Sequence, residues 1–135
     1  VSSARSDISC GAGQPQPHDF VTGGGFIGQG NERKNFGFNA GFKPNQTELS
    51  GHFNYIDHET GMHVQSVSIT SYDGDNNTRM FGGEAIVNGQ QGFVFNVTVT
   101  DNGEPGKEAD EFSIELSNSY SASGILNGGN IQLHD

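Results

Sequence analysis

Phe93–Leu116, FVFNVTVTDNGEPGKEADEFSIEL, decides the fold class of this 135-residue chain. Phe93, Phe95, Val97 and Val99 fall on one face at a period of two, and Phe112, Ile114 and Leu116 repeat the pattern. That period lines one side of a pleated strand, whereas a helix would scatter the same residues around its axis. Gly103, Pro105 and Gly106 interrupt it, so the chain turns between the two runs. The stretch reads as the central hairpin of an all-β domain.

The alternation recurs outward in both directions. Phe36, Phe38, Ala40 and Phe42 alternate with small or polar residues. Phe20–Ile27 carries three glycines, which marks a bulge or a close backbone approach. Leu49–Glu59 and Met62–Tyr72 read as a hairpin turning at Thr60-Gly61. That turn sets His58 opposite His63 and Ile56 opposite Gln65. Arg79–Val87 leads into Asn88-Gly89, a strong hairpin signal. A turn of two residues would oppose Glu84 to Phe93, so packing favours pairing Ala85 with Phe93 and Phe81 with Val97. Tyr120–Leu126 and Asn130–His134 read as a last hairpin across Asn127-Gly128-Gly129. No segment sustains a helical period. The expectation is an all-β antiparallel sandwich of eight or nine strands, immunoglobulin-like or jelly-roll-like, with a barrel as second choice.

Composition supports that class. Only 31% of residues are hydrophobic, Gly numbers 21, and ten Phe stand beside no Trp. Short strands, many tight turns and a Phe-dominated core follow. The net charge of −10 argues against nucleic acid and anionic membrane surfaces as partners. No run of apolar residues is long enough for a membrane-spanning helix. Residues 1–18 lack apolar periodicity, and Pro15 and Pro17 oppose regular pairing. They form an extended arm or linker before a single domain at 19–135. Cys10 in that arm is the one cysteine, so it is a candidate for a link to another chain.

Candidate ligand sites are sparse. Asp101, Glu104, Glu108, Asp110 and Glu111 crowd the hairpin loop, and calcium takes clustered carboxylates. Asp73 and Asp75, followed by Asn77 and Glu84, match the acidic spacing of a helix–loop–helix calcium loop. Thr78 stands where that loop requires glycine, and strands flank it. Turn chemistry explains the same residues without a metal. His58 and His63, as cross-strand neighbours, could ligate zinc or copper. His52 lies six residues along the strand from His58, too far to join them. No nucleophile sits in a strand–turn–helix elbow, and no phosphate loop is present because no helix follows Gly23-Gly24-Gly25.

Taken in order, VTGGGFI (21–27), NFGFNA (35–40), SGHFNYIDHETGMHV (50–64), VTVTDNGEPG (97–106) and YSASGILNGGNIQLH (120–134) resemble the post-choice-of-anchor-P domain. That domain is a module of bacterial secreted and cell-surface proteins. The resemblance covers about 20–135 and implies a β-rich extracellular module with no established catalytic residues. The expected function is therefore a non-catalytic structural or interaction module. Its arm adds a strand to a neighbouring subunit, giving self-association or binding to other extracellular proteins. A carbohydrate- or surface-ligand-binding module is the alternative, and a metal-dependent enzyme using His58 and His63 stands behind it.

Overall fold

The computed structural model describes residues 19–42, 47–102 and 109–134. Nine strands form one antiparallel sheet: β1 (Phe20–Ile27), β2 (Lys34–Gly41), β3 (Ser50–Asp57), β4 (Met62–Asp75), β5 (Thr78–Val87), β6 (Gln90–Thr100), β7 (Glu111–Leu116), β8 (Ser121–Ile125) and β9 (Gly128–His134). A single 3-10 turn, Gly30–Glu32, joins β1 to β2. The spatial order is β8-β7-β6-β5-β4-β3-β2-β1-β9. Every strand from β1 to β8 thus pairs with its sequence neighbours, and only β9 returns, to lie beside β1.

The sheet is curled into a half-barrel, and ring contacts show how far. Phe36 on β2 stacks on Phe112 of β7 with centroids 4.1 Å apart. Those strands are five places apart in the sheet, roughly 24 Å if it were flat. Phe53 of β3 likewise stacks on Phe95 of β6 at 5.2 Å, and Phe38 of β2 meets Phe81 of β5 at 5.1 Å. The inward phase of each strand fills the concave side: Val21, Phe36, Phe38, Phe53, Tyr55, Phe81, Phe95, Val97, Phe112 and Ile114 are all buried there. Phe supplies most of that volume without polar atoms to satisfy.

Three sequence expectations change. First, β6 and β7 form the expected hairpin, with Val97 opposite Ile114 and Val99 opposite Phe112. They lie towards one side of the sheet, however, and β4 is the middle strand. Second, β3 and β4 pair two residues away from the expected register, with Ile56 opposite His63 and Asp57 opposite Met62. The Asp57 carboxylate accepts the amides of Glu59 and Thr60, and its carbonyl accepts Gly61 N at 2.7 Å. These bonds build a four-residue loop in place of a two-residue turn. A shift of two leaves every side chain on its expected face.

Third, β8 and β9 do not pair with each other. β8 runs antiparallel to β7 and β9 antiparallel to β1. Leu126-Asn127 is a corner where Leu126 N donates to Asp110 O at 3.0 Å and Asn127 N to Phe26 O at 2.9 Å. The chain leaves one sheet edge there and joins the other. Asn127-Gly128-Gly129 resembles a hairpin turn in sequence, yet its amide and glycines serve a crossing. Gly129 has a φ of 94°, and a Cβ on it would stand 2.0 Å from Gly24 O. β9 and β1 can approach only because both are glycine there.

The β5–β6 turn satisfies both readings of the sequence. Asn88 (φ 51°) and Gly89 (φ 82°) form a two-residue turn with Val87 opposite Gln90. A register shift then brings Ala85 opposite Phe93 and Phe81 opposite Val97, the pairing that packing favours. Gly92, at a φ of 95°, lies in the extra length that the longer strand accommodates.

Gly83 gives a direct test of this packing. A Cβ there would stand 1.9 Å from Ser68 O, a backbone atom with no rotamer to escape into. Gly83→Ala is expected to destabilise by about 2–3 kcal/mol, lowering the melting temperature on the order of 10 °C. Gly37→Ala, where nothing lies within 4 Å, is expected to leave it almost unchanged; circular dichroism melts of the two variants make the comparison.

Candidate functional site

The concave side is lined by apolar residues, but its ends carry charge. Asp57, Arg79 and Asp110 are the buried charged residues among those described. Each continues the inward phase of its own strand: Asp57 follows Phe53 and Tyr55, Arg79 precedes Phe81, and Asp110 precedes Phe112 and Ile114. An ion in that position needs a full set of partners.

At one end, Asp57 is 1% exposed and sits at the tip of β3. Tyr120 donates its hydroxyl to Asp57 Oδ2. Because that proton is committed, the 2.7 Å contact between the Tyr55 and Tyr120 hydroxyls has Tyr55 as donor. Lys34, opposite Asp57 across β2 and β3, brings Nζ to 3.8 Å from Oδ1 and to 3.4 Å from Glu59 Oε1. Burial alone would raise the Asp57 carboxyl; the Tyr120 hydroxyl, the Glu59 and Thr60 amides and Lys34 together hold it below its ordinary value. Burial pushes Tyr55 up to about 12, and burial with the bond to Asp57 holds Tyr120 well above the usual phenol range.

At the opposite end, Arg79 grips Asp19 with two bonds, Nε to Oδ1 at 3.1 Å and Nη2 to Oδ2 at 2.7 Å. Its Nη1 donates to the carbonyls of Asn76 and Thr78. Tyr72 donates its hydroxyl to Asp19 Oδ1 at 2.6 Å. Planar two-point pairing of this kind is the strongest geometry available to arginine. The Asp19 carboxylate raises the Arg79 guanidinium further, and burial with the same carboxylate raises Tyr72.

The third arrangement uses two residues of the acidic loop. Asp110, fully buried, accepts Asn102 N on Oδ1 at 2.7 Å and Ile131 N on Oδ2 at 2.8 Å. Asp101 Oδ2 accepts Leu133 N at 3.0 Å. These carboxylates fasten β9 to the end of the β6–β7 hairpin. A calcium ion here would compete with backbone donors for the same oxygens. Glu104 and Glu108 lie outside the described residues, as does Cys10.

The other residues singled out in the sequence are separated. Asp73 and Asp75 are on the exposed end of β4, where Asp73 Oδ1 caps Gly74 N at 2.8 Å. The turn itself is Asn76-Asn77, with Asn76 at a φ of 52°. His63 faces Ile56 across the ladder, so His58 and His63 are not cross-strand neighbours. His58 Nε2 bonds to Asn35 Oδ1 at 2.8 Å, and the His52 ring meets Asn39 Nδ2. Among the described residues, no group of three or more His, Cys, Asp or Glu is placed to hold a metal ion. A depression of about 420 Å³ lies on the outer face of β4–β6, lined by Val67, Glu84, Ile86, Phe93 and Val94 among others.

Asp19, Asp57 and Arg79 were missed in the sequence because acids were weighed by clustering, which singled out only Asp101 and Asp110 of the network. The usable signal was phase: a charged residue at an inward position of a strand end. Comparison with family models, with curated proteins and with solved structures gave no match.

Both networks predict a pH signature. A lowered Asp57 contributes stability that is complete above the ordinary carboxylate value of about 3.9 and is lost as pH falls through its folded value. Raised tyrosines contribute stability that is complete below about pH 10 and is lost as pH rises through their folded values. All three Tyr are therefore expected to ionise together with unfolding, as one absorbance step above pH 10. Tyr120→Phe is expected to cost about 1.5–3 kcal/mol in urea unfolding at pH 7. Asp57→Asn is expected to flatten the loss of stability on acidification.

Proposed function

We propose that this chain is a non-catalytic structural or interaction module of a bacterial secreted or surface protein. In this reading residues 1–18 join one copy to the next by strand addition, building a filament. The observation that carries it is the fate of the buried ions. Asp57, Arg79 and Asp110 are each bonded to a tyrosine, to backbone groups or to an opposite charge, an arrangement that fixes a shell. Reactive groups need freedom to change protonation or meet substrate, and these are held in the opposite condition. The finer fold reading that suits this is a barrel: β8 and β9 act as one bent strand, first beside β7 and then beside β1. A filled, plugged barrel makes a stiff repeating unit.

The carbohydrate reading has less behind it. Tyr55 and Tyr72 are buried and Tyr120 is half-buried with its hydroxyl engaged, so none offers an open stacking face. The resemblance in sequence to a surface module, the acidic charge and the absence of Trp fit a passive extracellular body.

Deletion of residues 1–18 tests the arm. The full chain is expected to form concentration-dependent assemblies by size exclusion and electron microscopy, and the shortened chain to remain monomeric with an unchanged strand spectrum. Equal assembly of both chains, or none of the intact one, would remove the filament reading.

A further inference from the structure

Among the described residues the sheet ends in two edge strands, and their unpaired sides differ. On β9 the amides of Ile131 and Leu133 point away from β1 and are taken by Asp110 Oδ2 at 2.8 Å and Asp101 Oδ2 at 3.0 Å. Carboxylates already occupy the donors that an incoming strand would use, and the Asp110 carboxylate is fully buried against them. Native edges are commonly blunted by charge in this way.

On β8 the phase is set by Leu116 N donating to Tyr120 O at 2.9 Å and Leu126 N to Asp110 O at 3.0 Å. The same register makes Ile114–Ala122 and Phe112–Gly124 the hydrogen-bonded pairs. Ser121, Ser123 and Ile125 therefore turn their amides and carbonyls away from β7. No described strand pairs with that side. The side chains of these three residues are open to solvent: the two serines are small and exposed, and Ile125 is 54% exposed. On the paired side of β8, a groove of about 210 Å³ lies over the outer face of β6–β8, lined by Thr98, Thr100, Glu111, Ser113, Ser123 and Ile125 among others.

We propose that β8 is the acceptor edge for strand addition and that its occupant is the 1–18 segment of a neighbouring copy. This rests on the arm-mediated association proposed above and assigns where it happens. Charge selects the occupant. Residues 19–135 hold five basic and fifteen acidic residues, the whole net charge of −10, whereas Arg5 and Asp7 leave residues 1–18 formally neutral. Two bodies meeting edge to edge repel, while a neutral segment approaches freely. Glu111 and Glu115 are exposed on β7 opposite Ile125 and Ser121, and Arg5 supplies the complementary charge. Val1–Ser9, VSSARSDIS, has no Gly or Pro to break a ladder. Nine residues exceed the length needed to cover the five of β8. Backbone pairing supplies the affinity.

The test is sedimentation velocity of the full chain over rising concentration, with three variants. Ser123→Pro removes a donor that points away from β7, so it breaks no ladder bond and is expected to fold normally yet stay monomeric. Ser3→Pro/Arg5→Pro is expected to do the same without touching the described body, and Arg5→Glu to weaken assembly at least tenfold. Assembly that survives Ser123→Pro overturns the β8 edge while leaving the arm reading in place. Assembly lost in Ser123→Pro but kept in Ser3→Pro/Arg5→Pro overturns the occupant and points to β8 pairing with β8. A wild-type chain that stays monomeric throughout overturns this assignment and the reading beneath it together.

Discussion

A fully buried carboxylate, Asp110, receives the amides of Asn102 and Ile131, and the second of these bonds ties β9 to the start of β7. β9 belongs by pairing to β1 at one edge. Asp110 belongs to the start of β7, near the other edge. A side chain that bonds both holds the two ends of a nine-stranded sheet together where no backbone ladder does. Leu126 N, donating to the carbonyl of the same Asp110, fixes the corner from which β9 departs. The face-to-face stacking of Phe36 on Phe112 is then available to a sheet that would otherwise keep those rings far apart. Removing the carboxylate would leave the buried Ile131 amide without this acceptor, which costs more than the bond itself contributes.

The same device recurs at each end of the half-barrel. Asp57 with Tyr120, Tyr55 and Lys34 occupies one end, and Asp19 with Arg79 and Tyr72 the other. In both, tyrosines bring aromatic bulk to the core and a hydroxyl to the ion. The low effective dielectric strengthens each bond and makes each loss more costly. The shell thus combines an apolar middle with ends that tolerate little rearrangement. Such construction is consistent with the structural role proposed above.

Much of the fold was legible because alternation is a local property. β2, β5, β6 and β7 follow directly from inward Phe, Val, Ile and Leu at a period of two. The pairing of Ala85 with Phe93 could be chosen over the simplest turn because packing and turn chemistry could be weighed against each other. What alternation cannot report is which distant strand a segment joins. Tyr120–His134 looks like a hairpin, since two strand-like runs flank an Asn-Gly-Gly turn. Its bend serves a crossing between edges, decided by the shape of the whole sheet. The β3–β4 register moved by two for a similar reason, a side chain outcompeting a turn: the Asp57 carboxylate builds its own loop. The acidic residues were visible, but Asp110 was weighed with its neighbours as a candidate calcium ligand of the hairpin loop. Its phase with Phe112 and Ile114 marks it as inward.

The most direct measurement is residue-resolved amide hydrogen exchange on the dilute, monomeric chain. If carboxylates close the β9 edge and leave β8 open, the Ile131 and Leu133 amides exchange at rates near those of the core ladders. Ser121, Ser123 and Ile125 then exchange orders of magnitude faster. Ile131 and Leu133 exchanging as fast as Ser123 would contradict the account, since Asp101 and Asp110 would then not be holding β9 at all.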